Sequence, residues 1–261
     1  MTSPRKTYII ANWKMNFTPG EASLYLHRLE GRIKPARNIQ IILAPSTVSL
    51  QPLSLQVNRR QFKLAAQNLY WRDYGAFTGE TSASQIRGFV DYAIIGHSER
   101  RYIFNESEED IAQKVAAALR NNITPILCIG ETAIERKDGE TAATIYSQLA
   151  NGLNEVSSDD ISKVIIAYEP VWAISSNKDS CPAKLVDIEE AQALIRRHIS
   201  KLYSKEAGND ISVLYGGSVT HFSAGSYLSI KGIDGLLIGG ASLIADSFCA
   251  IVETAKGIKN E

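Results

Sequence analysis

The chain has 261 residues, with 28 lysines and arginines against 28 aspartates and glutamates, so its formal net charge at pH 7 is zero. This length accommodates one large domain or two small ones, and α/β barrels commonly reach this size as a single domain. Without a net positive charge there is no long-range field to hold a polyanion. We therefore expect no nucleic-acid partner and no binding to an acidic membrane surface.

The apolar runs and the cysteines indicate the cellular compartment. No apolar run approaches the roughly 18 residues of a transmembrane helix, and residues 8–11 are too short for a secretory signal. The three cysteines, Cys128, Cys181 and Cys249, are widely and irregularly spaced. This spacing fits neither a disulfide framework nor a paired-cysteine metal site. We therefore expect a cytoplasmic protein with no membrane contact.

Eight short segments rich in isoleucine, valine and leucine recur along the chain. They are residues 8–11, 39–44, 62–66, 92–95, 124–129, 164–168, 211–215 and 235–238. Each is almost continuously apolar, which is typical of strands that are buried on both faces of a parallel sheet. Half-exposed strands would instead alternate apolar and polar residues.

Helical patterns separate these strands. Ser107 and Asp110 form a capping-box sequence ahead of an apolar face made of Ile111, Val115 and Leu119. A second helix is predicted over residues 187–203, with an apolar stripe of Ile188, Ala191, Ile195 and Ile199. Strand and helix alternate from end to end without a linker, which predicts a single (β/α)8 barrel domain over residues 1–261. An open, doubly wound sheet is the alternative.

Polar residues and glycine pairs follow five of the predicted strands. In a (β/α)8 barrel the carboxyl ends of the strands lie on one face, where the chemistry takes place. The residues predicted to meet there are Asn12, Lys14, His97, Glu99, Glu169, the Gly216-Gly217-Ser218 turn and the Gly239-Gly240 turn.

This set of residues suits a phosphorylated substrate. Glycine turns after the seventh and eighth strands allow backbone N–H groups to approach an anion, and these loops are the usual phosphate site of the architecture. Ser218 adds a hydroxyl donor, and Lys14 is the nearby positive charge. A carboxylate, an imidazole and an ammonium group around a small phosphate ester favour proton abstraction next to a carbonyl.

Neither a metal nor an organic cofactor is expected. The histidines are scattered and lack metal-ligand spacing, at positions His27, His97, His198 and His221. The sequence contains neither of the glycine-rich patterns GxGxxG and GxxxxGK[ST] that typify nucleotide binding.

Several motifs, in order along the chain, resemble those of the triosephosphate isomerase family. They are ANWKMN at 11–16, GAFTGE at 75–80, GHSERR at 96–101, CIGET at 128–132, AYEPVWAI at 167–174, YGGSV at 215–219 and DGLLIGGASL at 234–243. The resemblance extends over nearly the whole chain. It implies a (β/α)8 barrel, known as a TIM barrel, that catalyses a cofactor-free isomerisation in glycolysis and gluconeogenesis.

The resemblance also implies a role for each catalytic residue. Glu169 is the expected base that moves a proton between the two carbons of dihydroxyacetone phosphate and D-glyceraldehyde 3-phosphate. A neutral His97 would polarise the carbonyl through an enediol or enediolate. Lys14 would neutralise substrate charge, Asn12 would bind substrate oxygens, and Glu99 would support Lys14.

A mobile lid is implied after Glu169, with the phosphate held by Ser175, Ser218, Gly239 and Gly240. Trp172 would bond to Glu131 when the lid is open, and Tyr215 and Ser218 would hold the closed lid. The family usually has a glycine-containing lid tip, whereas this chain has Ser175-Ser176-Asn177. Because the lid helps to set substrate fit, two alternatives remain: an isomerase of a four-carbon ketose phosphate, and a weakly catalytic paralogue that binds a phosphorylated ligand.

The loop from Gly75 to Glu80 resembles the family's dimer-interface loop. Its tip, Thr78, would reach toward the Asn12–Lys14 region of a second subunit, so we expect a homodimer. Tyr74 and Phe77 would form an apolar patch if both were exposed, and the alternative is that they pack onto their own subunit.

Overall fold

The computed structural model describes residues 6–174 and 181–258 of the chain. Eight parallel strands form a closed barrel in the order β1 to β8, each bonded to its neighbours in sequence, and β8 pairs with β1. The strands are β1 Thr7–Asn12, β2 Ile39–Ala44, β3 Phe62–Ala66, β4 Tyr92–Ile95, β5 Thr124–Ile129, β6 Ile165–Tyr168, β7 Ser212–Tyr215 and β8 Gly235–Ile238. The predicted (β/α)8 barrel is confirmed, and the open-sheet alternative is wrong.

Helices surround the barrel. They are α1 Pro19–Arg32, α2 Thr47–Gln56, α3 Ala83–Ile86, α4 Ser98–Tyr102, α5 Glu108–Arg120, α6 Ala133–Lys137, α7 Thr141–Gly152, α8 Leu185–Leu202, α9 Lys205–Asp210, α10 Ala224–Leu228 and α11 Ala245–Ile258. Short 3-10 turns cover Ile161–Lys163, Val171–Ala173 and Gly240–Leu243. None of the helices in the described ranges combines the length and apolar character that a bilayer crossing requires.

The predicted strand boundaries are correct to within one residue. Strands β6 and β7 each begin one residue later than predicted, because Val164 and Ile211 cap the preceding helical turns. The N–H of Val164 donates to Ile161 O, and the N–H of Ile211 donates to Ala207 O. An apolar residue can therefore look like the start of a strand while its backbone still completes a helix.

The predicted helix signals are confirmed. Ser107 accepts a hydrogen bond from the N–H of Asp110, whose carboxylate accepts one from the N–H of Ser107. Helix α8 covers nearly the predicted range and buries the predicted stripe of Ile188, Ala191, Ile195 and Ile199. Reciprocal caps of this kind satisfy N–H groups that have no partner within the helix.

Two apolar layers hold the barrel together. Side chains such as Ile10, Ile42, Ala65 and Ile94 fill its interior, and a larger cluster packs between the outer face of the strands and the helices. All eight strands run in the same direction, so their carboxyl ends meet at one rim. The residues that follow the strands are thereby brought together although they lie far apart in sequence.

Candidate active site

Glu169 follows β6 and is buried, with 3% of its surface exposed. Its backbone N–H donates to Ile129 O at 2.7 Å, which fixes the start of the segment to β5. On the other side, a Cβ atom at Gly216 would lie 2.8 Å from Glu169 Cγ, closer than real Cβ contacts allow. The absence of a side chain at Gly216 therefore makes room for the carboxylate.

The carboxylate of Glu169 meets His97 at the rim. Oε1 lies 3.2 Å from His97 Nε2, and Oε2 accepts a hydrogen bond of 3.4 Å from the backbone N–H of Ser98. His97 Nδ1 accepts a hydrogen bond from the N–H of Glu99 at 3.2 Å. In a neutral imidazole, an accepting Nδ1 leaves the proton on Nε2. The hydrogen bond at Nδ1 thus places the proton of a neutral His97 on Nε2, the nitrogen that lies 3.2 Å from the Glu169 carboxylate.

Lys14 lies beside this pair in a left-handed backbone conformation, with φ of 53°. This conformation is unfavourable for a lysine, and local hydrogen bonds hold it. The N–H of Lys14 donates to Asn12 Oδ1 at 3.1 Å, and Gln67 Nε2 donates to Lys14 O at 2.8 Å. Lys14 Nζ lies 2.5 Å from Glu99 Oε1, while Glu99 Oε2 lies 3.5 Å from His97 Nδ1. Glu99 therefore contacts the lysine through its carboxylate and the histidine through its backbone N–H.

The glycine turns after β7 and β8 lie on the same rim. A Cβ atom at Gly239 would lie 3.4 Å from Lys14 Cε, whereas one at Gly240 would meet no atom within 4 Å. The backbone N–H of Ser218 donates to Ala173 O at 2.9 Å, which ties the β7 turn to the segment after Glu169. Predicted residues Ser175, Ser176 and Asn177 lie outside the described residues.

The segment after Glu169 is anchored on a buried carboxylate. Trp172 Nε1 donates to Glu131 Oε1 at 2.9 Å, so the predicted contact between these residues is present. Tyr168 Oη donates to the same carboxylate at 3.1 Å, and Glu131 is fully buried. Burial and the neighbouring Glu131 raise the pKa of the Tyr168 hydroxyl, so this hydroxyl keeps its proton and remains a donor.

The structure adds residues that the sequence reasoning did not select. The Arg136 guanidinium stacks 4.2 Å from the centre of the Trp172 ring and pairs with Asp187 at 2.8 Å. Cys128 lies beneath Glu169, and burial together with the Glu169 carboxylate raises the pKa of its thiol. Gln67 is the first residue after β3, and this position in the sequence could have identified it as a residue of the carboxyl rim. Arg136 lies on helix α6, where an arginine usually means a solvated surface.

The site contains no arrangement typical of a metal centre. Across residues 6–174 and 181–258, no three histidine, cysteine, aspartate or glutamate side chains come together as metal ligands would. What the rim does bring together is a carboxylate, an imidazole, an ammonium group and two glycine turns.

Comparison of the sequence with known proteins assigns the chain to a family. The family model described as triosephosphate isomerase matches residues 7–255. The chain belongs to the triosephosphate isomerase family. It is 39% identical over 253 residues to the triosephosphate isomerase of Streptococcus mutans, covering 97% of this chain and 99% of that protein. The triosephosphate isomerase of Caldanaerobacter subterraneus is 39% identical over 249 residues, covering 95% of this chain and 99% of the relative.

A third relative gives the same result. The triosephosphate isomerase of Lacticaseibacillus casei is 38% identical over 248 residues, covering 95% of this chain and 98% of its own length. Relatives from several bacterial genera thus match almost end to end. The predicted family membership and isomerase activity are confirmed.

Proposed function

We propose that the protein interconverts dihydroxyacetone phosphate and D-glyceraldehyde 3-phosphate by proton transfer, with Glu169 and His97 as the central pair. The observation that carries this assignment is the 3.2 Å contact between Glu169 Oε1 and His97 Nε2, with both side chains buried at the barrel rim. Both groups can exchange protons with a bound substrate, and both are shielded from water.

Glu169 acts as the base. Its carboxylate removes a proton from the carbon next to the substrate carbonyl and later returns it to the neighbouring carbon. The two contacts that hold the carboxylate, to His97 and to the Ser98 N–H, are long at 3.2 and 3.4 Å. Contacts of this length are weak, so the carboxylate can exchange them for the substrate at small cost.

His97 polarises the substrate carbonyl. With Nδ1 accepting from the Glu99 N–H, the Nε2 proton is available to donate to a carbonyl oxygen as negative charge develops there. The same nitrogen passes protons between the two oxygens of the enediolate intermediate. One imidazole thereby serves both carbons of the reaction.

Lys14 and Asn12 stabilise negative charge. The Lys14 ammonium beside the β8 turn balances charge on the phosphate and the enediolate, and Asn12 binds a substrate oxygen. Glu99 holds the ammonium through the 2.5 Å ion pair. Ser175, Ser218, Gly239 and Gly240 supply the donors that bind the phosphate, Ser218 through its hydroxyl and the others through backbone N–H groups.

The protein acts as a homodimer through the loop from Gly75 to Glu80. This proposal is supported by a cavity of about 280 Å³ that is lined by Asn12, Lys14 and His97 and bordered by Met15, which is 96% exposed. Thr78 of a second copy fills this cavity. Within the loop, Phe77 packs on its own Tyr70 with ring centres 4.7 Å apart, whereas Tyr74 is 86% exposed.

The substitution Glu169→Gln tests the assignment of the base. The amide keeps the shape of the side chain but cannot accept the proton, so kcat is expected to fall by roughly 10²–10⁴-fold, the usual contribution of a positioned base. The measurement is the rate of isomerisation by purified protein. Glu190→Gln, which removes an exposed carboxylate on α8, is the matched control. Unchanged turnover in folded Glu169→Gln protein would contradict the mechanism.

A further inference from the structure

A second charged cavity lies at the opposite end of the barrel from the active site. It has a volume of about 200 Å³ and is lined by the basic residues Lys6, Arg37, Arg59 and Arg60 together with Gln40 and Gln61. The mechanism uses none of these residues. The concentration of positive charge contrasts with the zero net charge of the whole chain.

Barrel topology assembles this cluster. Lys6 precedes β1, Arg37 precedes β2, and Arg59 and Arg60 precede β3. Thr7 at the start of β1 pairs with Ile39 at the start of β2, and Ile41 of β2 pairs with Phe62 at the start of β3. Adjacent parallel strands therefore hold the three cationic loops side by side at the amino-terminal rim.

The loop before β3 is fixed by hydrogen bonds. The N–H groups of Gln61 and Phe62 donate to Asn58 O at 2.8 and 2.9 Å, and the N–H of Arg60 donates to Asn58 Oδ1 at 3.1 Å. Gln61, which lines the cavity, is 9% exposed, and its Nε2 donates to Glu30 O at 3.2 Å. The backbone that carries Arg59 and Arg60 is thus formed in advance of any ligand.

The guanidinium of Arg59 is positioned as well. It donates to Gly88 O and Phe89 O at 3.2 Å each and lies 3.4 Å from Asp91 Oδ2. Asp91 also pairs with Lys63 at 3.2 Å, so two cations share this carboxylate. Within residues 6–174 and 181–258, the side chains of Lys6, Arg37 and Arg60 form no ion pair. The cavity therefore has a local excess of positive charge, which a bound anion would relieve.

The cavity is separate from the active site. β1 connects the two ends of the barrel, and its six residues span roughly 17 Å at about 3.3 Å per residue. An anion in this cavity cannot touch Glu169, His97 or Lys14. Binding there is consequently independent of the proposed isomerase mechanism.

We propose that this cavity binds a small polyphosphate anion. The guanidinium groups of Arg37 and Arg60 offer forked pairs of donors that match phosphate oxygens, and Lys6 and the already anchored Arg59 add further positive charge. The volume is below the range of about 300–1,000 Å³ that is typical of drug-sized ligand pockets, which favours a compact anion over a nucleotide or a polymer. A second charge on the ligand matches the presence of three cations that form no ion pair among the described residues.

Equilibrium dialysis with inorganic pyrophosphate tests the proposal on the intact protein. We compare the native sequence, the double substitution Arg37→Gln with Arg60→Gln, and a control with Arg197→Gln and Lys201→Gln. The control removes two charges from exposed positions on α8. The active site is unchanged in all three proteins, so any anion bound there contributes equally to each.

Binding at the cavity is expected to weaken by about tenfold or more in Arg37→Gln/Arg60→Gln, because two charge-assisted contacts are lost, and to stay unchanged in the control. Equal pyrophosphate binding by all three proteins, or no binding by the native protein, would overturn the proposal. Equal affinity of the cavity for malonate, a dicarboxylate, would overturn the assignment to phosphate. The KM for isomerisation is measured in parallel, and it is expected to be the same in all three.

Discussion

Single residues determine the geometry around Glu169, and a glycine, which has no side chain, is as important there as the residues that contact the carboxylate. Gly216 leaves the space that the carboxylate occupies, the Ser98 N–H donates a hydrogen bond to it, and His97 Nε2 lies 3.2 Å away. Lys14 is held in an unfavourable conformation by Asn12 and Gln67. Conformational cost at such a position is typical of functional sites, where neighbouring contacts offset it.

The substitution Gly216→Ala tests whether this space is needed. The added Cβ would lie 2.8 Å from Glu169 Cγ, so the carboxylate must move. A displacement on the order of 1 Å can cost about 10²-fold in rate, and we expect kcat to fall by roughly that factor. Gly20→Ala, where an added Cβ meets no atom within 4 Å, is the matched control. Steady-state kinetics on both proteins gives the comparison, and equal kcat values would show that the carboxylate tolerates the shift.

At the scale of elements, the turn Val171–Ala173 after β6 is held to the loop after β5. Glu131 accepts hydrogen bonds from Tyr168 and Trp172, and Arg136 stacks on the Trp172 ring. The carboxylate is fully buried, and a buried charge is tolerated only when such donors satisfy it. This contact set couples the segment after the proposed base to the neighbouring strand.

Replacement of Trp172 by phenylalanine measures the strength of this coupling. The change removes the Nε1 donor from buried Glu131, and we expect the free energy of unfolding to fall by about 1–3 kcal/mol. Trp71→Phe is the control, because Trp71 Nε1 has no hydrogen-bond partner in the described part of the chain. Urea unfolding followed by circular dichroism measures both variants. A loss in Trp71→Phe as large as that in Trp172→Phe would assign the effect to ring packing instead.

At the scale of the whole molecule, the active site lies next to an exposed apolar surface. Met15 and Phe104 are both exposed and border the same cavity as Lys14. Tyr74, in the proposed interface loop, is exposed as well. Clustered apolar exposure of this kind is typical of a protein–protein interface. This is the physical argument for the proposed dimer and for its influence on the Lys14 region.

Tyr74→Glu tests the dimer. A charge buried against a second copy carries a large desolvation cost, so we expect the Tyr74→Glu protein to sediment as a 28.6 kDa monomer with reduced kcat. The native protein is expected to sediment at twice that mass. Leu55→Glu is the control, since Leu55 is 82% exposed, close to the 86% of Tyr74, but lies on α2. Analytical ultracentrifugation gives the masses. A native protein that sediments as a monomer would refute the proposed assembly.

Buried tyrosines predict how stability responds to alkaline pH. Burial raises the pKa of Tyr25 and of Tyr92 above the usual value near 10. In the unfolded chain these hydroxyls ionise near pH 10 while the folded protein keeps them neutral. Their contribution to stability is therefore constant well below pH 10 and falls as the pH approaches and passes that value. We expect urea midpoints to decline between about pH 9 and pH 11, with a shallower decline in Tyr92→Phe. Tyr146→Phe, which removes a hydroxyl from a half-exposed ring, is the control, and identical slopes in the two variants would contradict the explanation.

The sequence by itself determined the fold, the family and the candidate catalytic residues. Buried parallel strands have a local signature of continuous apolar residues. For this reason all eight strands end at or within one residue of the predicted position. Residues directly after strands must lie at the carboxyl rim of a closed parallel barrel. This rule is why Glu169, His97 and Lys14 could be grouped before any distance between them was known.

Only the tertiary structure decided the contacts that no sequence motif indicated. The contact of Gln67 with Lys14 and the stacking of Arg136 on Trp172 join residues that are distant in sequence. The cationic cavity at the amino-terminal rim depends on the register between β1, β2 and β3. Apolar periodicity is a short-range property of the chain, whereas these contacts depend on how the closed barrel aligns its loops. The sequence therefore indicated which residues reach the carboxyl rim, and barrel closure determined most of their partners.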